Sequence, residues 1–348
     1  MSRTKKSEIG KKVGIGAALV AVPLGSAMVF MHLKDASEQK NPSPRQDDRD
    51  TGRIDPAMMK YAQSGTIATG FKHAKAVAVD EAGRLLIAGD RKVRIFGADG
   101  GKGVVVVSEI EFSEYPTCVA GGADGTVIVG FRKHVEIFGA DGKLVKKWAT
   151  FGPKSQVTGL AVRGQNVFIA DAGRRMVIKC DLDGKVQGEL GQRDKARGQD
   201  GLVLPSAFLN VSLTADGQVL VNNPGMHRVE TWNSDGEVQK FWGNAGAGLS
   251  SFIGCCNPSH LAVMADGRII TAEKGTARVK IYKPNGELDA VVAGPKELGG
   301  GGGGLNGFEV AADKENRILV LEPGGTEIRV FTLKEQSGGS GPQVARLN

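Results

Sequence analysis

Cys255 and Cys256 stand side by side, followed by Asn257 and, after Pro258 and Ser259, by His260. Thiols and an imidazole within one short stretch are the groups that ligate soft and borderline metals, interconvert as thiol and disulfide, or exchange protons near neutral pH. Three readings of the pair are open. Under oxidising conditions neighbouring cysteines close to a vicinal disulfide, a strained ring that offers a ligand a stiff apolar platform. As thiolates, with His260 and with help from Cys118 or Glu309, they would hold a metal, an iron–sulfur cluster or a haem-associated centre. Adjacent cysteines lack the Cys-x-x-Cys spacing that most such sites use. In the third reading the thiols only pack their loop. The cofactor is therefore open between none, a metal, and iron–sulfur or haem. His260, beside a proline-containing turn, reads as a satisfied hydrogen-bonding residue or as a ligand or base.

Other chemistries are poorly supplied. The chain carries no serine nucleophile elbow, no phosphate loop and no paired catalytic carboxylates. A zinc centre of three histidines would require His73, His227 and His260 to converge, which their spacing does not support. A hydrolase or lyase would require His260 and Glu309 to face each other across a pocket. The residues therefore lean towards binding without turnover.

A repeat must position these groups. From about Ala74 one pattern recurs at a spacing of roughly 40 to 50 residues, which signals a propeller or a solenoid. Each copy holds short apolar strands separated by tight turns. The first reads Ala76 to Val79, Leu85 to Ala88, Val93 to Phe96, then Asp99-Gly100. Asp124-Gly125, Asp141-Gly142, Asp183-Gly184, Asp216-Gly217, Asp235-Gly236, Asp266-Gly267 and Asn285-Gly286 punctuate the others, and such dipeptides make the preferred hairpin turns. Six four-stranded units predict an all-β, six-bladed β-propeller. The sixth copy runs out after its third strand at Phe331-Thr332-Leu333, whereas Gly65 to Ala68 is a strand without a blade. That strand is expected to complete blade six and leave no open edge.

Phe241-Trp242-Gly243, then Gly246, Gly248, Phe252 and Pro258, leading into Leu261-Ala262-Val263 and Asp266-Gly267, resembles the NHL repeat of six-bladed propellers. Thr150-Phe151-Gly152, Asp171 with Arg174 and Arg175, and His227-Arg228-Val229 echo other parts of that pattern. The resemblance covers about residues 65 to 335 and implies an NHL/TolB-like propeller, a fold similar in binding scaffolds and in a few enzymes. It also implies that an acid of the second strand and an Arg opening the third tie a blade together, which makes Asp171, Glu273, Arg228 and Arg278 structural.

Aligned on their first tight turn, the copies place Ala76, Cys118, Thr158 or Gly159, Asn210, His260 and Glu309 in one register, where the innermost strands begin. Propeller ligands usually sit at that end. Four or five of these positions are polar or bear a thiol, which predicts a functional rim that also includes Cys255, Cys256 and Asn257. Cys180 falls in the register of Phe96, Phe138 and Tyr282 and is expected to be a buried, inert thiol. Gly299 to Gly304 is expected to be a flexible insertion, with a lid over the channel as the alternative. Residues 192 to 205 read as a solvated charged loop or a partner contact.

The net charge of +7 is concentrated at the start of the chain. Arg3, Lys5, Lys6, Lys11 and Lys12 against Glu8 give +4, which leaves +3 for the rest and argues against nucleic acid as a partner. Residues 13 to 33 are uncharged and long enough to cross a bilayer as a helix, with the basic flank on the cytoplasmic side. The expectation is a retained signal anchor; a signal peptide cleaved near Gly25-Ser26-Ala27 and a cytoplasmic protein with a buried helix are the alternatives. The predicted organisation is a basic head over 1–12, a transmembrane anchor over 13–33, a linker over 34–64, the propeller over 65–335 and a tail over 336–348. Together these readings predict a single-pass inner-membrane protein whose propeller, on the extracytoplasmic or periplasmic side, binds a protein or small-molecule ligand at a Cys/His-bearing face.

Overall fold

The computed structural model describes residues 54–98, 104–196, 198–299, 307–322 and 324–335. The predicted anchor over 13–33, and Gly300 to Gly304 of the glycine run, lie outside them. Among the described residues no helix is long and apolar enough to cross a membrane.

The described chain forms six four-stranded antiparallel sheets, so the propeller is confirmed. Strand β1 (Tyr61–Ala68) comes first in the chain and joins the last blade. Blade one is β2 (Ala74–Val79), β3 (Leu85–Gly89), β4 (Lys92–Ala98) and β5 (Val104–Glu111). Blade two is β6 (Pro116–Gly121), β7 (Val127–Phe131), β8 (Val135–Phe138) and β9 (Leu144–Lys147). Blade three is β10 (Val157–Arg163), β11 (Asn166–Asp171), β12 (Met176–Asp181) and β13 (Val186–Leu190). Blade four is β14 (Val211–Leu213), β15 (Val219–Asn223), β16 (Arg228–Trp232) and β17 (Val238–Trp242). Blade five is β18 (His260–Val263), β19 (Ile269–Glu273), β20 (Arg278–Tyr282) and β21 (Leu288–Ala293). Blade six is β22 (Glu309–Ala312), β23 (Ile318–Leu321) and β24 (Glu327–Leu333), closed by β1. The expected closure is therefore present: Thr66 pairs with Arg329 and Ile67 with Ile328. The strand begins at Tyr61, earlier than Gly65, and a bulge between Gln63 and Gly65 carries it past its partner.

The apolar residues collect in six clusters, each between two neighbouring blades. The one between blades four and five joins Leu220, Val229 and Trp242 to Phe252, Leu261, Ile269 and Tyr282. Alternation along each strand sends side chains into the seam on either side, which is why the middle strands read as unbroken apolar runs. Turn chemistry fits the same seams. Gly286 has a φ of +87°, and a Cβ there would lie 2.4 Å from Trp242, so an Asn-Gly turn of blade five closes over the outer strand of blade four. Because the seams hold the core, the innermost strands need no apolar residues facing the axis.

Several expectations meet their structural partners here. Cys180 is buried in the seam between blades two and three, and burial pushes its thiol up to about 12. Asp171 accepts hydrogen bonds from Ser155 Oγ at 2.5 Å and from the backbone of Gln156 and Arg174. Arg228 reaches Glu230 at 2.7 Å, and Arg278 reaches Glu273 at 2.8 Å. Residues 192 to 205 depart from a purely solvated loop: Leu202 and Leu204 are buried in the seam between blades three and four.

Candidate functional site

Strand pairing resolves the register of the inner ring. In blades one to three a bulge leaves Lys75, Thr117 and Thr158 without an opposite number, so Ala76 pairs with Ala88, Cys118 with Gly130 and Gly159 with Ala170. His260 pairs with Ala272 and Glu309 with Leu321 at the same level. The choice between Thr158 and Gly159 thus falls on Gly159, a difference of one residue that only the bulge decides. Ala76, Cys118, Gly159, Asn210, His260 and Glu309 all line the central channel, whose volume is about 240 Å³.

The ring is unequal. Blades one to three contribute a methyl, a thiol and a glycine, whereas blades four to six contribute an amide, an imidazole and a carboxylate in adjacent positions. These three side chains meet. His260 Nε2 lies 2.9 Å from Glu309 Oε2 and 2.8 Å from the side-chain amide of Asn210. The Val310 N–H donates to His260 Nδ1 at 3.4 Å, which leaves Nε2 facing both the Glu309 carboxylate and the Asn210 amide. Gly159 leaves room for the cluster, since a Cβ there would lie 3.1 Å from the Asn210 amide. Below Asn210, Asn222 accepts from its backbone at 2.6 Å and donates to Phe208 and Pro258 carbonyls, which fixes both the start of β14 and the approach to β18.

Cys118 lines the channel but is unreactive. Burial pushes its thiol up to about 12, and the nearby Glu309 charge adds to the effect against a hydrogen bond from Thr117. Its sulfur occupies the space left by Gly130, where a Cβ would come within 2.3 Å.

Cys255, Cys256 and Asn257 do not line the channel, which corrects their placement on the rim. The residues before β18 fold back on their own blade instead. Asn257 Nδ2 donates to the carbonyls of Ile253 and Lys274, and its Oδ1 accepts from the Lys274 N–H. His227 Nε2 contacts the Gly254 carbonyl, and Ser259 Oγ donates to Ala272. Cys255 is exposed, Cys256 is buried, and both are free thiols with sulfurs 3.1 Å apart. Burial pushes Cys256 up, but the nearby Ser206 hydroxyl, the Cys255 thiol and the charge of Lys274 outweigh it and hold the thiol below its usual value. Cys255, which shares a proton with Cys256, is held above it. Sequence reasoning missed Ser206 and Lys274. The signal available for Lys274 was its place directly after Glu273, in a loop that opens on the same face.

The histidines do not converge. His73 contacts Asp90, His227 contacts Gly254, and His260 contacts Asn210 and Glu309. Among the described residues no group of three His, Cys, Asp or Glu side chains could hold a metal ion. Two thiols without further donors do not make the ligand set of zinc or of an iron–sulfur cluster, so the pair does not fit those groups.

A second missed cluster lies behind the first. Lys280 is fully buried on β20; its ammonium donates to the carbonyls of Leu249 and Ser251 at 2.9 and 2.8 Å and lies 2.8 Å from the Glu273 carboxylate as an ion pair. Its ammonium also lies 4.5 Å from the centre of the Phe252 ring. Burial pushes Lys280 down to about 8, against the pull of Glu273. Burial pushes Glu273 up, but Lys280 and Arg278 outweigh it and hold the carboxyl below its usual value.

No protein-family model matches the chain, and no curated protein matches its sequence. Solved structures do match its fold. A structural genomics protein of unknown function from Bacteroides thetaiotaomicron has a TM-score of 0.55 and 16% identity, over 77% of this chain and 71% of that one. Virginiamycin B lyase from Staphylococcus aureus has a TM-score of 0.53 and 12% identity, over 79% of this chain and 100% of that one. The WD40 propeller domain of Doa1 has a TM-score of 0.52 and 15% identity, over 80% and 98%. At these identities the likeness is one of fold, and the chain is a six-bladed β-propeller. The NHL-repeat resemblance continues to rest on its motif residues.

Proposed function

We propose that the protein is a membrane-tethered, extracytoplasmic propeller that binds a protein or small-molecule ligand at the mouth of its channel, without turnover. The observation that carries this reading is the contact of Asn210, His260 and Glu309 from three successive blades, on a wall where the fold asks for no polar residue. Such a cluster suits a ligand that donates hydrogen bonds or carries positive charge. A volume of about 240 Å³ falls below the roughly 300 Å³ at which pockets for larger organic ligands begin. A small metabolite, or the tip of a basic side chain from a partner, matches that space. The tether is supported by the basic head and the apolar segment over 13–33.

Native mass spectrometry on full-length protein released from its own membranes tests the reading. A bound species present in the wild type and lost in Glu309→Gln, with the circular dichroism unchanged, is the expected result. An identical complement of bound species in the wild type, Glu309→Gln and His260→Ala would remove the channel from the account.

One observation supports a second reading, as a lyase or hydrolase. His260 and Glu309 are in direct contact in the channel of a fold that is shared with virginiamycin B lyase, so Glu309 could set the imidazole as a base. Cleavage of virginiamycin B by the wild type but not by His260→Ala would favour it over simple binding.

A further inference from the structure

We propose that Cys255 and Cys256 form a thiol–disulfide exchange site on the face of blade five, which closes to a vicinal disulfide as it reduces an incoming disulfide. The site is separate from the channel cluster and does not rest on it. Four observations meet here. The sulfurs lie 3.1 Å apart as free thiols. That distance is about 1 Å from bonding contact, and shorter than the bite of about 3.8 Å that two Zn–S bonds of about 2.3 Å make at a tetrahedral angle. The pair is therefore set for bonding between its sulfurs rather than for a tetrahedral ion.

The exposures differ in a useful way. Cys255 is open to solvent, whereas Cys256 is only 3% exposed, so an incoming disulfide reaches Cys255 first and Cys256 is held back to resolve the intermediate. The frame is rigid as well: both edges of the turn are pinned, by Asn257 to Ile253 and Lys274 and by Asn222 to Pro258. Finally, the buried hydroxyl of Ser206, which has no hydrogen-bond partner, and the ammonium of Lys274 lie beside Cys256 and favour its thiolate.

The exchange runs in two displacements. Cys255 passes its proton across the 3.1 Å contact to the Cys256 thiolate and attacks one sulfur of a disulfide RSSR; a Cys255–SR bond forms, the RS–SR bond breaks, and the RS⁻ that leaves takes the proton from Cys256. The Cys256 thiolate then attacks Cys255 Sγ, the Cys255–Cys256 bond forms, and the second RS⁻ leaves and is protonated. In sum the pair loses two electrons and two protons, and RSSR becomes two RSH. A dithiol running the same steps in reverse restores the pair.

Full-length protein treated with glutathione disulfide, followed by intact mass and peptide mapping, tests this. The wild type is expected to lose two hydrogens within the peptide carrying 255 and 256 and to retain no glutathione. Cys256→Ser is expected to trap glutathione on Cys255. Cys255→Ser is expected to react at least about tenfold more slowly, because its remaining thiol is buried. Lys274→Met, which keeps the side-chain stem, is expected to move the pH profile of ring closure to higher pH; an unmoved profile would mean that Lys274 only packs. Cys118 and Cys180 are internal controls and should stay unmodified. The proposal is overturned if the wild type, still folded, keeps both thiols under excess probe, or if glutathione persists on it. The wild-type measurement decides the matter even if a variant misfolds.

Discussion

Two charged clusters meet at blade five, one within it and one joining blades four to six, and they differ in what surrounds them. Glu273, Arg278 and Lys280 lie at 0 to 3% exposure between β19 and β20 and answer one another, with backbone carbonyls taking the remaining ammonium donors. His260 and Glu309, with Asn210, sit on the channel wall, where their side chains are 12% and 22% exposed. The first arrangement is closed, because its charges meet only each other and the protein. The second leaves part of its imidazole and carboxylate open to the channel. The contrast separates ionic groups that serve the fold from those left over for a ligand.

The largest expected effect lies in the closed cluster. Glu273→Ala strands two buried cations and is expected to cost about 3 to 5 kcal/mol, measured by urea unfolding. A loss below about 1 kcal/mol would mean that water reaches Lys280, and the comparison would fail. Next comes pH. The folded value of Lys280, about 8, lies below its usual 10.5, so between them the unfolded chain binds more protons and stability rises with pH. Cys118 and Cys180, pushed up to about 12 from 9, act in the opposite direction above pH 9. Subtracting the Lys280→Met profile from the wild type cancels the thiols and isolates the lysine. A flat difference from pH 8 to 10.5 would show that its ammonium is not held as described. The smallest effect on stability belongs to the open cluster: Glu309→Gln, which keeps a hydrogen-bond acceptor beside His260, is expected to change unfolding by about 1 kcal/mol or less. A larger loss would make Glu309 a structural residue and weaken the channel reading.

Much of the fold was legible because it is written in local rules. Asp-Gly turns, period-two strands and an orphan strand at Gly65 to Ala68 sufficed for six blades and their closure, since each depends on neighbours in sequence. The inner ring was nearly legible, and Asn210, His260 and Glu309 align without structure. The choice of Gly159 over Thr158 was not legible, because it depends on a bulge that the residue types do not announce, and their contact was not legible because it joins three blades that are far apart in sequence. The cysteine pair was misplaced for a related reason. Register counting carries it onto the rim, but Asn257 ties the turn back to Lys274 through bonds that form only once blade five is folded. Lys280 was invisible, since a lysine in the third strand reads as an outward-facing charge until the loop at 249 to 251 is seen to cap it.

The unequal inner ring has a consequence for docking. A propeller of six similar blades presents a visitor on its axis with six nearly equivalent settings, and a uniform ring would leave them degenerate. With the amide, imidazole and carboxylate of this register on blades four to six, one setting brings a ligand's donors to them while the opposite one turns those donors towards Ala76 and Gly159. The ring therefore works as a key slot: it fixes the angle at which a partner seats, and with it which blade edges that partner can touch.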